Sequence, residues 1–363
     1  MLLVFVSVFA PEPDGGVRSF LLDPASGRLA SAAVTPGLPH AFFLAASPDQ
    51  LTLYALTAGT FGDAVTEAVT AWRIRGGQGR LEPLGRQPAG GAATCFVAPD
   101  GPGRHLLLAH YTGGTVARLP LASDGSLAGP PATIPADRSG SGVVKGRQEE
   151  PHPHAIIAAP RAGGGASFAF AADLGCDAIC GFRIDEAEGL VPLDPPLTKM
   201  PPGAGPRHLA FDPAGQRLYC INELANTIGV YDFERDTGGL VERQMISTLP
   251  DGFAGTSHTA DLRLTPDGRF LYGTNRGHDS IAAYAVADDG RLTLIEIVPS
   301  RGKGPQNIAI TPCGTLLLCA NMPGNSLAVF RIDGQTGRLS PVGEPVDVTQ
   351  PSAIAIVTPP AAP

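Results

Sequence analysis

The stretch that decides the fold runs from Gly205 to Phe233 and reads GPRHLAFDPAGQRLYCINELANTIGVYDF. Apolar and polar residues alternate on both sides of the turn DPAG, which is the period-two pattern of β-strands joined by a hairpin. Another strand follows this pair, and the polar turn RDTGG separates it from a fourth. The stretch therefore predicts four antiparallel strands, A to D, near Arg207–Phe211, Arg217–Asn222, Thr227–Phe233 and Leu240–Ser247.

This four-strand unit is one copy of a repeat. A proline-containing turn between strands A and B recurs at Pro48, Pro99, Pro160, Pro213, Pro266, Pro312 and Pro359. A second turn, which ends in Gly-x-Leu or Gly-Leu before strand D, recurs at Leu29, Leu81, Leu127, Leu190, Leu240, Leu292 and Leu339. Two interleaved series with a period of about fifty residues indicate a repeat architecture. Seven units of four antiparallel strands predict an all-β protein, a seven-bladed β-propeller.

The two ends of the sequence are incomplete copies of the repeat. The last copy contains only strand A, PSAIAIVTP, whereas the first residues, LLVFVSV, have the character of strand B. The N-terminal strands are therefore predicted to complete the blade of the C-terminal strand, which closes the ring and removes exposed sheet edges. This interpretation makes residues 1–363 a single domain. It also makes Met1–Val8 a strand instead of a targeting segment.

Composition restricts the classes of partner. The net charge of −8 offers no basic surface for nucleic acid or for an anionic membrane, and no segment is long enough to span a membrane. The six cysteines form no CxxC pair, and four of them lie in apolar runs. Buried free thiols are typical of the reducing cytosol, so a cytoplasmic location is expected. Nothing in the sequence specifies an oligomeric state.

Polar residues concentrate at one end of the predicted ring. Because neighbouring strands are antiparallel, the loops that lead into strand A and those that leave strand B share the end that surrounds the central channel, termed the channel mouth. The positions before or at the start of strand A are His40, Ala93, His152, His154, Arg207, His208, His258, Asp261, Gln306, Asn307 and Ser352. The positions that end strand B are Ser7, Thr57, His110, Tyr111, Asp173, Asn222, Glu223, Asn275, Arg276, Asn321 and Met322.

The longest connection also reaches this end. Residues 136–150, ADRSGSGVVKGRQEE, form a Gly- and Ser-rich loop of the kind that serves as a lid or a binding loop. Its Lys145 and Arg147 are candidates for contact with an anionic substrate, and solvated loop charges are the alternative. Likewise, Arg207 and Glu223 form either a structural ion pair or part of a reactive site.

Other kinds of site are poorly supported by the sequence. The motif HPH places His152 and His154 on one side of a strand, but no third ligand follows at a metal-binding spacing. No glycine-rich loop opens a helix to hold a phosphate, and no Gly-x-Ser-x-Gly elbow offers a nucleophilic serine. Neither a metal nor another cofactor is therefore expected.

Several motifs together resemble the lactonase-type seven-bladed propellers, a family that includes bacterial 6-phosphogluconolactonase and the fungal 3-carboxy-cis,cis-muconate lactonizing enzyme. They are EEPHPHAI, GPRHLAFDP, INELANTIGVY, TNRGHDSIAAY and GPQNIAITPCG. The resemblance covers nearly the whole chain and implies a catalytic set of His154, Arg207, Glu223 and Arg276. The sequence departs from many relatives at its first strand, FVSVFAPEP, and in the 136–150 loop.

The predicted function is hydrolysis of a sugar-acid lactone, first of all 6-phosphogluconolactone. Either Glu223 or His154 would take a proton from the attacking water, the other would protonate the leaving ring oxygen, and Arg207 and Arg276 would hold negative charge. The predicted substrate-binding residues are His152, His208, His258, Asn307, Lys145 and Arg147. A phosphorylated substrate needs an additional cationic pocket, for which Lys145, Arg147, Arg301 and Lys303 are candidates.

Two alternatives use the same fold. A cycloisomerase would form a muconolactone-type product with the same four residues and without water. A non-catalytic propeller scaffold would present a hydrophobic patch and would not depend on those residues.

Overall fold

A computed structural model describes residues 1–135, 138–160 and 168–358 of the chain. Within these ranges the secondary structure is β-strand, turn and bend, and no helix is long and apolar enough to cross a membrane. The strands form seven antiparallel sheets, one for each predicted repeat, so the prediction of a seven-bladed β-propeller is confirmed. The predicted turn after Pro160, the turn at Pro359 and the first two residues of the 136–150 loop lie outside the described ranges. The single-domain interpretation stays a prediction.

Each blade begins with its innermost strand at the channel and continues outward. Blade 1 contains β29 (Pro351–Val357), β1 (Leu2–Val8), β2 (Gly16–Leu22) and β3 (Leu29–Pro36). Blade 2 contains β4 (Leu44–Ala46), β5 (Thr52–Thr57), β6 (Ala68–Arg75) and β7 (Arg80–Pro88). Blade 3 contains β8 (Thr94–Pro99), β9 (His105–His110), β10 (Thr115–Pro120) and β11 (Ala132–Pro135).

The remaining blades follow the same order. Blade 4 contains β12 (Pro153–Ala158), β13 (Phe168–Asp173), β14 (Ala178–Asp185) and β15 (Gly189–Lys199). Blade 5 contains β16 (Pro206–Phe211), β17 (Arg217–Asn222), β18 (Thr227–Phe233) and β19 (Leu240–Ser247). Blade 6 contains β20 (His258–Leu264), β21 (Phe270–Arg276), β22 (Ser280–Val286) and β23 (Leu292–Pro299). Blade 7 contains β24 (Pro305–Ile310), β25 (Leu316–Asn321), β26 (Ser326–Ile332), β27 (Leu339–Pro341) and the short β28 (Val346–Asp347), which also pairs with β26.

The ring closes as predicted, because β1 pairs with β2 on one side and with the C-terminal strand β29 on the other. The innermost strands contact one another in the order β4, β8, β12, β16, β20, β24, β29 and back to β4. The middle strands are buried on both faces, between the two neighbouring blades; every residue of β5 and of β25 is buried. The core is therefore a series of apolar layers between blades, which explains why these strands read as nearly continuous hydrophobic runs.

Buried tyrosines of strand B join neighbouring blades at the end opposite the mouth. The hydroxyl groups of Tyr54, Tyr219 and Tyr272 donate to the carbonyl oxygens of Gly125, Gly290 and Gly337, at 3.0, 2.9 and 2.8 Å. Each of these glycines lies in the Gly-x-Leu turn of the following blade and has a positive φ angle. The second repeat series thus marks the points at which one blade is hydrogen-bonded to the next.

A second set of ties fixes the loops at the channel mouth. The side chains of Asn222, Asn275 and Asn321, in the last two residues of strand B, donate to the hydroxyl groups of Thr227, Ser280 and Ser326, which begin strand C. The carboxylates of Asp177 and Asp279 accept from the backbone N–H groups of Gly205 and Gly304, each at 2.8 Å, in the loop that leads into the next blade. These bonds hold the mouth loops in fixed positions and so position the side chains that the loops carry.

Candidate functional site

Four side chains from two blades and one loop meet at the channel mouth around Glu223. Arg207 is the second residue of β16, Glu223 follows β17 directly, Arg276 ends β21, and Arg147 lies on the loop before β12. The backbone N–H of Glu223 donates to the carbonyl oxygen of Gly205, which ties the end of β17 to the start of β16. The Glu223 cluster, as these four residues are called below, therefore stands on strand ends that the repeat itself holds in place.

Both carboxylate oxygens of Glu223 are paired with guanidinium groups. Oε2 lies 2.9 Å from Nε of Arg207 and 2.9 Å from Nη2 of Arg276, and Oε1 lies 2.6 Å from Nη2 of Arg147. Glu223 and Arg207 are buried, whereas the side chains of Arg276 and Arg147 are 26% and 32% exposed. Three arginines around one carboxylate give the cluster a net charge of +2, although the whole chain is acidic.

The charges of the cluster determine its protonation. Burial disfavours the ionised form of Glu223, but the charges of Arg276 and Arg207 outweigh this effect and hold its pKa well below the usual range. Burial, together with the nearby charge of Arg276, lowers the pKa of Arg207 to about 10. Glu223 is therefore an ionised carboxylate and Arg207 a charged guanidinium near neutral pH.

His154 lies in β12, beside this cluster, and its imidazole ring makes no hydrogen bond within the described ranges. The residue is buried, and its Nδ1 has no hydrogen-bond partner among the described residues. Its ring packs edge-on against those of His208 and Tyr111, with centroids 5.5 Å apart in both pairs. Burial, reinforced by Arg207 and His208, lowers the pKa of His154 well below its ordinary value. The imidazole is therefore uncharged near neutral pH.

The 136–150 loop reaches the site through Arg147. Its buried Gln148 donates to Oδ1 of Asp177 at 2.7 Å, and the hydroxyl of Ser141 donates to Oδ2 of the same residue at 2.9 Å. This anchor fixes the loop on blade 4 and holds Arg147 over Glu223. Lys145 is exposed to solvent on the same loop, so the structure brings only one of the two predicted loop cations to the cluster.

Two of the predicted substrate-binding residues are fully engaged by the protein. His208 is buried, with Nδ1 2.8 Å from Oδ1 of Asp261 and Nε2 3.1 Å from Nη1 of Arg207. Asn307, also buried, donates to Oδ2 of Asp261 at 2.6 Å and accepts from the backbone N–H of Ile354 at 2.8 Å. Both side chains lie behind the Glu223 cluster and support it.

The other predicted contacts are more dispersed. The ring of His152 stacks on Tyr111 with centroids 4.4 Å apart, and its Nδ1 lies 2.8 Å from the Tyr111 carbonyl oxygen. The backbone carbonyl of His258 accepts from Nε of Arg276 at 3.3 Å, and the buried Nδ1 of His258 has no partner among the described residues.

The candidates for a separate phosphate pocket do not converge on one pocket. Arg147 pairs with Glu223, and Arg301 pairs with Glu344 at 2.6 Å. Lys145 and Lys303 are both exposed to solvent. Of these four candidates, only Arg147 therefore belongs to a group of converging cations, the Glu223 cluster.

Sequence reasoning missed how central Asp261 is. It is fully buried, and besides His208 and Asn307 it pairs with Arg263 at 3.0 Å. The motif SHTAD places it on the inner strand of blade 6, next to the blade that carries His208. An aspartate on an inner strand was the available signal. The contact between Arg147 and Glu223 had no such signal, because a loop of irregular sequence carries no strand register.

In the parts of the chain that the structure describes, no group of three or more His, Cys, Asp or Glu side chains is arranged to hold a metal ion. The expectation of a site without metal or cofactor stays a prediction.

Known proteins share this architecture over nearly the full chain. The family model "Lactonase, 7-bladed beta-propeller" matches residues 4–356. A 6-phosphogluconolactonase of Bacillus subtilis is 30% identical over 351 residues, covering 96% of this chain and 97% of the relative. A 6-phosphogluconolactonase of Klebsiella pneumoniae is 28% identical over 337 residues, covering 93% and 94%. Among solved structures, a periplasmic gluconolactonase of Pseudomonas aeruginosa superposes with a TM-score of 0.90 at 30% identity, covering 99% of each chain.

Proposed function

The chain belongs to the lactonase family of seven-bladed β-propellers, and on this premise we propose that it hydrolyses a sugar-acid lactone at the channel mouth. The first substrate to consider is 6-phosphogluconolactone, because relatives that align over nearly the whole chain carry the name 6-phosphogluconolactonase. The observation that carries the proposal is the Glu223 cluster, a net positive group beside an uncharged, unpartnered histidine.

Anion binding is the task that suits the arginines. The exposed edges of Arg147 and Arg276 face solvent at the mouth, where a carboxylate, a phosphate or a developing oxyanion can form charge-assisted bonds with them. Such donors are held in place before the substrate arrives, so little reorganisation is needed when negative charge develops on the carbonyl oxygen. Glu223 gathers the three guanidinium groups at one point and keeps them from repelling one another.

His154 suits the role of general base better than Glu223 does. A base must be unprotonated and must have a free lone pair near the reacting water. His154 is uncharged, and within the described ranges neither of its ring nitrogens is hydrogen-bonded, whereas both oxygens of Glu223 are occupied by arginines and its pKa is strongly depressed. Of the two proton assignments that the sequence leaves open, these contacts favour His154.

The proposed reaction proceeds in two steps. Water adds to the lactone carbonyl carbon while the imidazole of His154 takes one of its protons, and the carbonyl oxygen becomes an oxyanion beside the arginines. The bond from that carbon to the ring oxygen then breaks, and the imidazolium returns the proton to the leaving ring oxygen. The product is an open-chain hydroxy acid, and no atom or electron pair from outside the substrate, water and His154 is required.

The experiment that tests this function measures proton release from freshly prepared 6-phosphogluconolactone, gluconolactone and galactonolactone, each with and without a chelator. We expect turnover of the phosphorylated lactone well above its spontaneous hydrolysis, unchanged by the chelator. Turnover of only the unphosphorylated lactones would retain the chemistry and change the substrate. Absence of turnover with all three would contradict the proposal and would make ring closure of a carboxymuconate, and then a search for protein partners, the next assays.

We also propose a cytoplasmic location. Four of the six cysteines are buried free thiols, and free thiols persist in reducing compartments. One structural relative is described as periplasmic, so cell fractionation is an informative test. Recovery of the chain with a cytosolic marker would support the proposal, and release with the periplasmic fraction would contradict it.

A further inference from the structure

A chain of buried hydrogen bonds runs from blade 7 to blade 5 behind the Glu223 cluster. Asn307 donates to Asp261 at 2.6 Å, and the other oxygen of Asp261 lies 2.8 Å from Nδ1 of His208. Nε2 of His208 lies 3.1 Å from Nη1 of Arg207, and Nε of Arg207 donates to Glu223 at 2.9 Å. All five side chains are buried, so water does not compete for these bonds.

We propose that Asp261 and His208 are positioning residues that hold the guanidinium of Arg207 in the orientation required for lactone hydrolysis. The proposal rests on the function proposed above. It assigns to Asp261 a role that the sequence does not suggest, and it changes the predicted role of His208 from binding the substrate to orienting an arginine.

Only one arrangement of protons fits this row of buried hydrogen bonds. Oδ2 of Asp261 accepts from the side chain of Asn307 and from the backbone N–H of Ile308, and Oδ1 accepts from the backbone N–H of Leu262. An ionised carboxylate can only accept, so the proton between it and His208 belongs to Nδ1 of the histidine. In a neutral imidazole, Nε2 is then an acceptor, which suits an arginine that can only donate.

Several observations support a neutral His208. Burial and the charge of Arg207 lower its pKa to about 4, and they outweigh the opposing effect of Asp261. A proton on Nε2 would also place two donors against each other, 3.1 Å apart, at Nη1 of Arg207. The carboxylate of Asp261 thus determines the tautomer of His208, and the tautomer determines which group Arg207 can bind.

This row of buried hydrogen bonds fixes the plane of the Arg207 guanidinium group. Nη1 of Arg207 contacts His208 and also donates to the carbonyl oxygen of Ala260, while Nε donates to Glu223. Because the guanidinium group is rigid and planar, these three bonds determine the direction of the remaining Nη2. Within the described ranges the hydrogen bonds of Arg207 are made by Nε and Nη1, and none is made by Nη2. Its two N–H groups are available for negative charge that develops on the lactone.

The repeat does not need these charged, hydrogen-bonded side chains in order to fold. Blade 7 has Gln306 and Asn307 at the positions that Arg207 and His208 occupy in blade 5, since GPQN and GPRH begin the same strand of their blades. Neutral amides therefore suffice for the backbone at this position. The ionic side chains of blade 5 require a different explanation, and orientation of Arg207 supplies one.

The test compares the full-length variants His208→Leu and His208→Gln in hydrolysis of 6-phosphogluconolactone. Leucine removes both bonds of the ring, and we expect kcat to fall about 10- to 100-fold, as is usual when a group that orients a ligand-binding residue is lost. The KM should change little, because His208 does not contact the substrate. The amide oxygen of glutamine can accept from Arg207, so His208→Gln should recover most of the lost kcat.

A matched control distinguishes orientation from general stability. His110 is also a fully buried histidine, with Nδ1 2.8 Å from the Thr115 hydroxyl and Nε2 3.0 Å from the Ala89 carbonyl oxygen. We expect His110→Gln to lower the melting temperature and to leave the kcat of the folded protein unchanged. If His208→Leu behaves in the same way, with wild-type kcat, the positioning role is overturned.

The tautomer provides a test that does not depend on catalysis. Nitrogen-15 NMR of the histidine-labelled wild type, assigned by the signals lost in His208→Gln, should show His208 protonated at Nδ1 and not at Nε2. Protonation at Nε2 would overturn the proposal whether or not a lactone is hydrolysed. If the wild type hydrolyses none of the lactones, the proposed function fails on that assay, and the NMR result alone decides the orientation of Arg207.

Discussion

Blades 5 and 7 share a backbone and differ in chemistry. Strand A begins with GPRH at Gly205 in blade 5 and with GPQN at Gly304 in blade 7. The residue after strand B donates its backbone N–H to that glycine in both blades, from Glu223 at 2.6 Å and from Met322 at 3.1 Å. The same fold position thus holds an ionised carboxylate in one blade and a thioether in the other.

The difference separates structural positions from functional ones. Asn222 and Asn321, which end strand B, make the same bond to the hydroxyl that begins strand C. Their neighbours Glu223 and Met322 do not share a role. Gln306 of blade 7 accepts from Arg276 of blade 6 at 3.3 Å, so the neutral blade supports the charged one. The repeat builds the framework, and departures from the repeat build the site.

A large effect is expected when blade 5 loses the charge that distinguishes it. Glu223→Gln leaves three guanidinium groups without their carboxylate, and we expect lactone turnover to fall by about 10²- to 10³-fold, the scale of losing a group that organises charge at the reacting centre. Met322→Leu, the change at the matching position of blade 7, should leave turnover unchanged. Wild-type turnover in Glu223→Gln, measured on protein whose fold is confirmed by circular dichroism, would contradict this assignment.

A second change removes the proposed base. His154→Gln keeps a polar side chain of similar length but cannot accept and return a proton, so we expect kcat to fall by about 10²- to 10⁴-fold. The KM should change much less, because the arginines remain. The dependence of kcat on pH checks the assignment: the acid limb that reports titration of His154 should be present in the wild type and absent in the residual activity of the variant.

A third change gives blade 5 the amide of blade 7. Arg207→Gln removes one donor to the developing negative charge, and a loss of about 10²-fold in kcat is expected. Gln306→Ala, in blade 7, removes only a support of Arg276 and should cost a few-fold. If the two variants lose the same activity, the distinction between charged and supporting blades is wrong.

The stability of the protein should depend on pH through the same residues. The folded-state pKa values of His208, about 4, and of His154 lie below the ordinary 6.5, so the unfolded chain binds more protons as the pH falls below that value. The free energy of unfolding should therefore decrease from pH 7 to pH 5, by on the order of 2 kcal/mol from His208 alone, and further below pH 4.5, where Glu223 contributes. Denaturant titrations at pH 7 and 5 measure the change. It should shrink in His208→Gln; an equal decrease in that variant would contradict the assignment to His208.

The smallest effect is expected at the end opposite the mouth. Tyr272→Phe removes the hydroxyl that donates to Gly337, and a loss of about 1 kcal/mol of unfolding free energy is typical for one hydrogen bond. Lactone turnover should remain at the wild-type level. A loss of turnover without a loss of stability would show that the two ends of the ring are coupled.

The fold was predictable because the repeat signals are local. Turns with proline or glycine and strands of period two specify each hairpin, and seven copies specify the ring. The bounds predicted for strands B, C and D of blade 5 match β17, β18 and β19, and strand A begins one residue earlier, at Pro206. The prediction that the N- and C-terminal strands share a blade is also confirmed, because β1 pairs with β29.

The site was predictable only to the level of its face. Strand direction places Arg207, Glu223 and Arg276 at one end, and the structure brings them into contact. The orientation of side chains within that face is a tertiary property. His208 and Asn307, predicted to bind substrate, bond instead to Asp261 of blade 6, and strand periodicity cannot specify which residues of neighbouring blades meet.

The most direct test of the central claim compares the wild type and His154→Gln in one assay, proton release from freshly prepared 6-phosphogluconolactone at neutral pH. We expect rapid release with the wild type and, with the variant, a rate at least about 10²-fold lower. Equal rates for the two proteins, or no acceleration by the wild type, would contradict the claim that the unpartnered histidine beside the Glu223 cluster is the base of a lactonase.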